Sequence, residues 1–119
     1  MTVSDFTEVR FTPDRAGQRY SIGIESYSPN LTVVRATGEL DMSARADLMD
    51  ALAGALRADS VVLLDLSAVE FMYSGAASVI VDAAERSRGR LEVFAPTRPA
   101  RRVLDAVGAS SIGAYPSRG

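Results

Sequence analysis

The chain has no cysteine and no histidine. Without cysteine there is no disulfide, no thiol nucleophile and no thiolate metal site. Without histidine the usual triad base and the commonest metal ligand are both missing. No stretch approaches the ~20 consecutive apolar residues of a membrane-spanning helix, so membrane insertion is not expected. Met1 to Arg10 carries two acids and no apolar core, which does not read as a signal peptide. The lack of cysteine fits a reducing compartment, so the expected location is cytoplasmic. Formal charge is only -2, and this mild acidity gives no reason to expect direct nucleic-acid binding.

What is present describes an ordinary globular chain. Its 119 residues are 47% hydrophobic and 24% charged. Disorder needs low hydrophobicity and a large charge imbalance, and neither holds. One domain is the default at this length, with enough chain to bury a core without staples. The expected division is an N-terminal extension over residues 1–20, in which Val9 to Phe11 read as a short edge strand, and a domain over residues 21–119. Basic residues gather late, at Arg86, Arg88, Arg90, Arg98, Arg101 and Arg102. A solvated face is the favoured reading of them over a phosphate patch.

Along the chain, Ser21 to Ser26 and Leu31 to Ala36 read as a hairpin across the turn signal Ser28-Pro29-Asn30. Gly38-Glu39-Leu40-Asp41 closes the second strand, and Ser43 is placed to cap a helix. Ala44, Leu48, Ala51, Leu52 and Ala55 form one apolar stripe, with the helix ending near Arg57. Val61-Val62-Leu63-Leu64 reads as a strand buried on both faces. Ser67 to Met72 then reads as a connection anchored by Val69 and Phe71. Ser74 to about Ser87 is a second helix, facing inward with Ala77, Ile80, Val81 and Ala84 and stopped by Gly89. Leu91 to Ala95 is a strand. A third helix follows Pro96 and Pro99, presents Val103, Leu104 and Val107, and ends at Gly108. Ile112 to Tyr115 reads as a last short strand. Strands first and then helix, strand, helix, strand, helix predicts an α/β fold: a mixed sheet of about four to six strands with three main helices mostly on one face.

Two junctions could carry function, Gly38 to Asp41 and Phe71 to Gly75. Both sit at the carboxyl ends of predicted parallel strands, where open α/β sheets place their sites. Ser74 reads either as a helix cap or as an exposed hydroxyl open to phosphorylation. A phosphate would add about -1.5 to -2 charges at a helix start that tolerates them. Asp41 reads as a turn residue or as a carboxylate beside Ser74. Catalysis is not expected: there is no base for a serine hydrolase, no Gly-x-Ser-x-Gly elbow and no phosphate-binding glycine loop. No cofactor and no metal ligand set is read either.

These passages resemble the STAS family, and most closely its anti-sigma factor antagonists. Gly38-Glu39-Leu40-Asp41 is similar to the Gly-x-Leu-Asp turn before the family's first helix. Val62 to Met72 is similar to its central strand and approach loop, and Ala95-Pro96 through Leu104 and Gly108 to its last strand and helix. The likeness spans roughly residues 22 to 115. It implies a docking surface of Glu39, Asp41, Met42, Ser43, Met72, Tyr73, Ser74, Gly75 and Ala76. It also implies a partner, an anti-sigma factor that is itself a serine kinase. Phosphorylation at Ser74 would end the interaction and a phosphatase would restore it.

The family's Asp-Ser-Ser/Thr-Gly motif is matched only at Ser74, with Tyr73, Gly75 and Ala76 at the other places. An alignment slipped by one would put Tyr73 on the phosphorylated position. Two alternatives therefore stand beside the antagonist reading. One is a non-phosphorylated STAS scaffold: a subunit of a larger assembly, a sensor or a small-ligand binder. The other is a small hydrolase. The sequence leaves the oligomeric state open.

Overall fold

A computed structural model describes residues 9–11, 19–95 and 97–106. Five strands form one sheet in the order β1-β2-β3-β4-β5. They are β1 (Val9–Phe11), β2 (Tyr20–Ser28), β3 (Leu31–Leu40), β4 (Val61–Met72) and β5 (Leu91–Phe94). The β1–β2 and β2–β3 pairs are antiparallel, whereas β3–β4 and β4–β5 are parallel. The parallel pairs need crossovers. Helices α1 (Arg45–Ala55) and α2 (Ser74–Ser87) supply them, and α3 (Arg98–Ala106) follows β5. The mixed sheet with three helices is the expected architecture.

The helices cover one face because their apolar stripes and one set of strand positions form a single cluster. Ile22, Val34, Ala36, Leu64 and Val93 meet Leu48, Leu52, Ile80, Ala100 and Leu104 there. The stripe predicted for α1 is buried throughout, as are Ala77, Ile80 and Ala84 of α2, while Val81 is half-buried. The other sheet face has no helix over it among the described residues. Val61 is accordingly exposed and Leu63 half-buried, so β4 is not buried on both faces as its apolar run suggested. On that face Arg35 bridges three strands, bonding Glu25 of β2 and Asp65 of β4 at 3.0 Å each.

Residues 67 to 72 form no loop. They continue β4, which uses twelve residues to run beside the ten of β3. Two bulges absorb the difference. From Arg35 to Thr37 the partner advances from Asp65 to Ala68, and from Gly38 to Glu39 it advances from Val69 to Phe71. Each bulge adds a residue to β4 and flips the alternation of its side chains. Inward positions therefore run Val62, Leu64, Leu66, Val69 and Met72. Phe71, read from the sequence as a core anchor, is 47% exposed.

The end of α1 lies at Ala55, two residues before the expected stop. At the end of α2 the left-handed turn begins at Arg88 (φ 55) and continues through Gly89 (φ 91). The predicted strand from Ile112 to Tyr115, together with Val107 and Gly108 of the expected third helix, lies outside the described residues.

Candidate functional site

Residue by residue, β3 and β4 end together. Glu39 pairs with Phe71 and Leu40 with Met72. Beyond that register, the backbone N–H of Tyr73 donates to the carbonyl of Leu40 at 3.0 Å. The two junctions picked out in the sequence thus form one continuous edge at the carboxyl end of the sheet.

Gly38 sets the path of the first junction. Its φ is +88, and a Cβ there would run into the backbone carbonyl of Arg19. Only glycine meets both conditions without strain. The same carbonyl accepts from the N–H of Glu39 at 3.0 Å, and the Arg19 guanidinium bonds the Glu39 carboxylate at 2.7 Å. Glu39 is therefore held against Arg19, partly open to solvent.

Asp41, not Ser43, is the cap. Its carboxylate accepts from the Ser43 N–H at 3.0 Å and from the Ser43 hydroxyl at 2.6 Å, which starts a 3-10 turn over Met42–Ala44 ahead of α1. An aspartate at N-cap serves as well as a serine, and here it lies two residues earlier than the position chosen from the apolar stripe. The Ser43 hydroxyl, with the N–H bonds, holds the Asp41 carboxyl below its usual range. This bonding turns Asp41 onto Ser43. The Ser43 carbonyl accepts from the hydroxyl of Tyr20, tying the loop down to β2. Between these fixed residues Met42 stands out, 72% exposed.

At the second junction Tyr73 is the N-cap of α2, with extended backbone and no side-chain cap bond. Its carbonyl accepts from the N–H groups of Ala76 and Ala77. Ser74 is consequently the first residue of the helix, exposed, and not its cap. The half-buried Tyr73 ring folds back over Gly75, where a Cβ would collide with it. Tyr73 and Gly75 are thus one steric unit: the ring takes its place because position 75 has no side chain.

The nine residues expected at a docking surface divide by depth. Met42, Ser43 and Ser74 are exposed, and Glu39, Asp41, Tyr73 and Gly75 are half-buried. Met72 and Ala76 are enclosed, at 1% and 0%, so their side chains support the edge from beneath. Phe71, within the second junction but read as a core anchor and not among those nine, is exposed on this edge through the second bulge. The glycine at position 38 was the signal for that irregularity.

A mixed sheet with helices on one face, its two candidate junctions joined on the carboxyl edge of two neighbouring parallel strands, defines a small α/β module with a partly exposed rim at that edge. The sequence matches a family model described as "Mlab, STAS domain" over residues 25–113, and the chain belongs to the STAS domain family. Two solved structures share the fold. An anti-sigma factor antagonist from Mycobacterium paratuberculosis aligns with a TM-score of 0.66 at 22% identity, covering 98% of this chain and 92% of its own. The anti-sigma factor antagonist SpoIIAA in its unphosphorylated form aligns with a TM-score of 0.65 at 17% identity, over 82% and 89% respectively. No curated protein matches the sequence significantly. Among the described residues no helix is long and apolar enough to cross a membrane.

Proposed function

We propose that the chain is a cytoplasmic anti-sigma factor antagonist that works by docking and catalyses nothing itself. Its partner is an anti-sigma factor that is also a serine kinase. The docking rim is Glu39 to Ser43 with Phe71 to Gly75. The observation that carries the reading is the exposed Ser74 hydroxyl at the first position of α2, on the same edge as Asp41 and Met42. A phosphate on Ser74 meets the partial positive charge of a helix start, so the fold tolerates it. The partner surface over Ser74 does not, because about two negative charges would be buried there without counter-charges. Phosphorylation then releases the partner, and a phosphatase restores docking. The same reading assigns residues 21–119 to the domain and residues 1–20 to its extension.

One observation favours a second reading. The Tyr73 ring and Gly75 replace an acid and a hydroxyl of the family motif as a coupled pair. In that reading Tyr73 is a permanent docking side chain of a STAS scaffold that is never phosphorylated. The deciding experiment is intact mass after incubation with ATP and the serine kinases of the same genome, with Ser74→Ala as control. One added phosphate, absent in the Ala variant, supports the antagonist switch. A stable complex that gains no phosphate supports the scaffold.

A further inference from the structure

Between α1 and α2 lies an open groove of about 540 Å³, lined by none of the rim residues. Its floor is apolar, made by Met49 and Leu52 of α1, Leu56 at the end of that helix and Val79 of α2. Its walls carry four arginines, Arg45, Arg57, Arg86 and Arg90, against one acid, Asp82, a local formal charge of +3 in a chain whose total is -2. Two of these arginines belong to the late basic cluster of the sequence.

Three of the four gather where α1 and α2 end. Arg90 is held in place by the carbonyls of Leu56, Ala58 and Ser60 at 2.7 to 3.1 Å. Those carbonyls lower the local potential without cancelling the charge. Arg86 reaches Asp82 at 2.8 Å in an exposed i,i+4 pair, which contributes little in water. Arg57 is exposed and forms no ion pair among the described residues.

The dimensions indicate what fits. Helix α1 has eleven residues and is about 16 Å long. An extended alkyl chain lies along that length over the apolar floor, with an anionic head against the arginines at its end. The volume falls in the range of small-molecule sites, about 300–1,000 Å³. We propose that this groove binds a slender amphipathic anion, an alkyl chain bearing a carboxylate. The carboxylate meets Arg57, Arg86 and Arg90, and the chain lies over Leu56, Leu52, Val79 and Met49 toward Arg45.

The test is titration of the full chain with sodium decanoate below its micellar concentration, followed by calorimetry and by backbone amide shifts. Decyltrimethylammonium serves as the control of opposite charge. The expected result is saturable one-to-one decanoate binding with shifts confined to α1, α2 and the turn to β5. Arg57→Glu should weaken it by about tenfold or more, the scale of one charge-assisted hydrogen bond. Ala53→Phe, at an exposed position in the groove wall, should block it sterically, with thermal unfolding unchanged in both variants. The proposal is overturned if decanoate binding does not saturate, if decyltrimethylammonium binds as tightly, or if neither substitution moves the affinity.

Discussion

Ser74 starts α2, and its side chain is exposed and makes no part of the core. Replacement by Asp places a carboxylate at a helix N-terminus, which is neutral or mildly stabilising, by about 0.3–1 kcal/mol. The expected outcome for Ser74→Asp is an unchanged or slightly raised melting temperature together with, under the proposed function, loss of retention on an immobilised anti-sigma factor. A collapse in melting temperature would instead make Ser74 a structural residue. Tyr73 and Gly75 offer a test of coupling. Glycine to alanine inside a helix normally stabilises by up to about 1 kcal/mol. Here the new Cβ strikes the Tyr73 ring, a flexible side-chain end that must swing away. Gly75→Ala is therefore expected to stabilise fully only in a Tyr73→Ala background. In the native background the gain should shrink or reverse, leaving a coupling of about 0.5–1 kcal/mol in denaturant melts. Additive effects would mean that the ring does not rest on Gly75.

Among the elements, β4 does most to position the site. Its inner half is anchored by Leu64, fully buried between Val34 and Val93 in the sheet register. Leu64→Ala should cost about 2–5 kcal/mol, read as a lower denaturant midpoint with unchanged slope. Its outer half contributes Asp65. Burial raises the pKa of that carboxyl, but bonds from Ser67 and from Arg35 outweigh burial, and the net shift is downward. A group with a depressed folded pKa stabilises the fold above its unfolded pKa, about 3.9, and loses that contribution as pH falls through the lower folded value. Asp65→Asn should therefore lower the melting temperature at pH 7, while the gap to the native chain closes below about pH 4. A gap that stays constant down to pH 2 would show that Asp65 is not held by its charge. Helix α2 was legible from Ser74 to Ser87 because its 3.6-residue period is uninterrupted, and the parallel crossovers followed from element order. The far half of β4 was not, since two bulges shift its inward positions from every second residue to every third, a spacing that reads as loop. The capping residue was misplaced for a related reason. Asp41 caps a 3-10 turn that already contains Ala44, the first residue of the stripe, and the regular helix begins only at Arg45.

At the scale of the molecule, the boundary that bears on the rim is where the folded unit starts. Division at residue 21 follows composition, yet the chain just before it is engaged with the core. Tyr20 is 6% exposed, and its hydroxyl reaches the Ser43 carbonyl, below the rim that holds Met42. The carbonyl of Arg19 accepts from Glu39, and Gly38 is shaped around it. By contrast β1 adds only three residues to an edge of the sheet. Two truncations separate these contributions. A chain beginning at Gly17 loses β1 but retains Arg19 and Tyr20, and it should still unfold in one cooperative transition with a modest loss of stability. A chain beginning at Ser21 also loses a buried aromatic ring and the bonds beneath the rim. Removal of a large buried aromatic side chain costs about 3–5 kcal/mol, so this shorter chain should fall well below the first in a denaturant melt. Its amide exchange should rise first around residues 39–44, because those backbone groups lose their anchor on Arg19 and Tyr20. Equal stability of the two truncations would place the boundary at residue 21 and reduce Tyr20 to a bystander. A large difference would make the strand before the hairpin turn, from Arg19 onward, part of what holds the docking rim in shape.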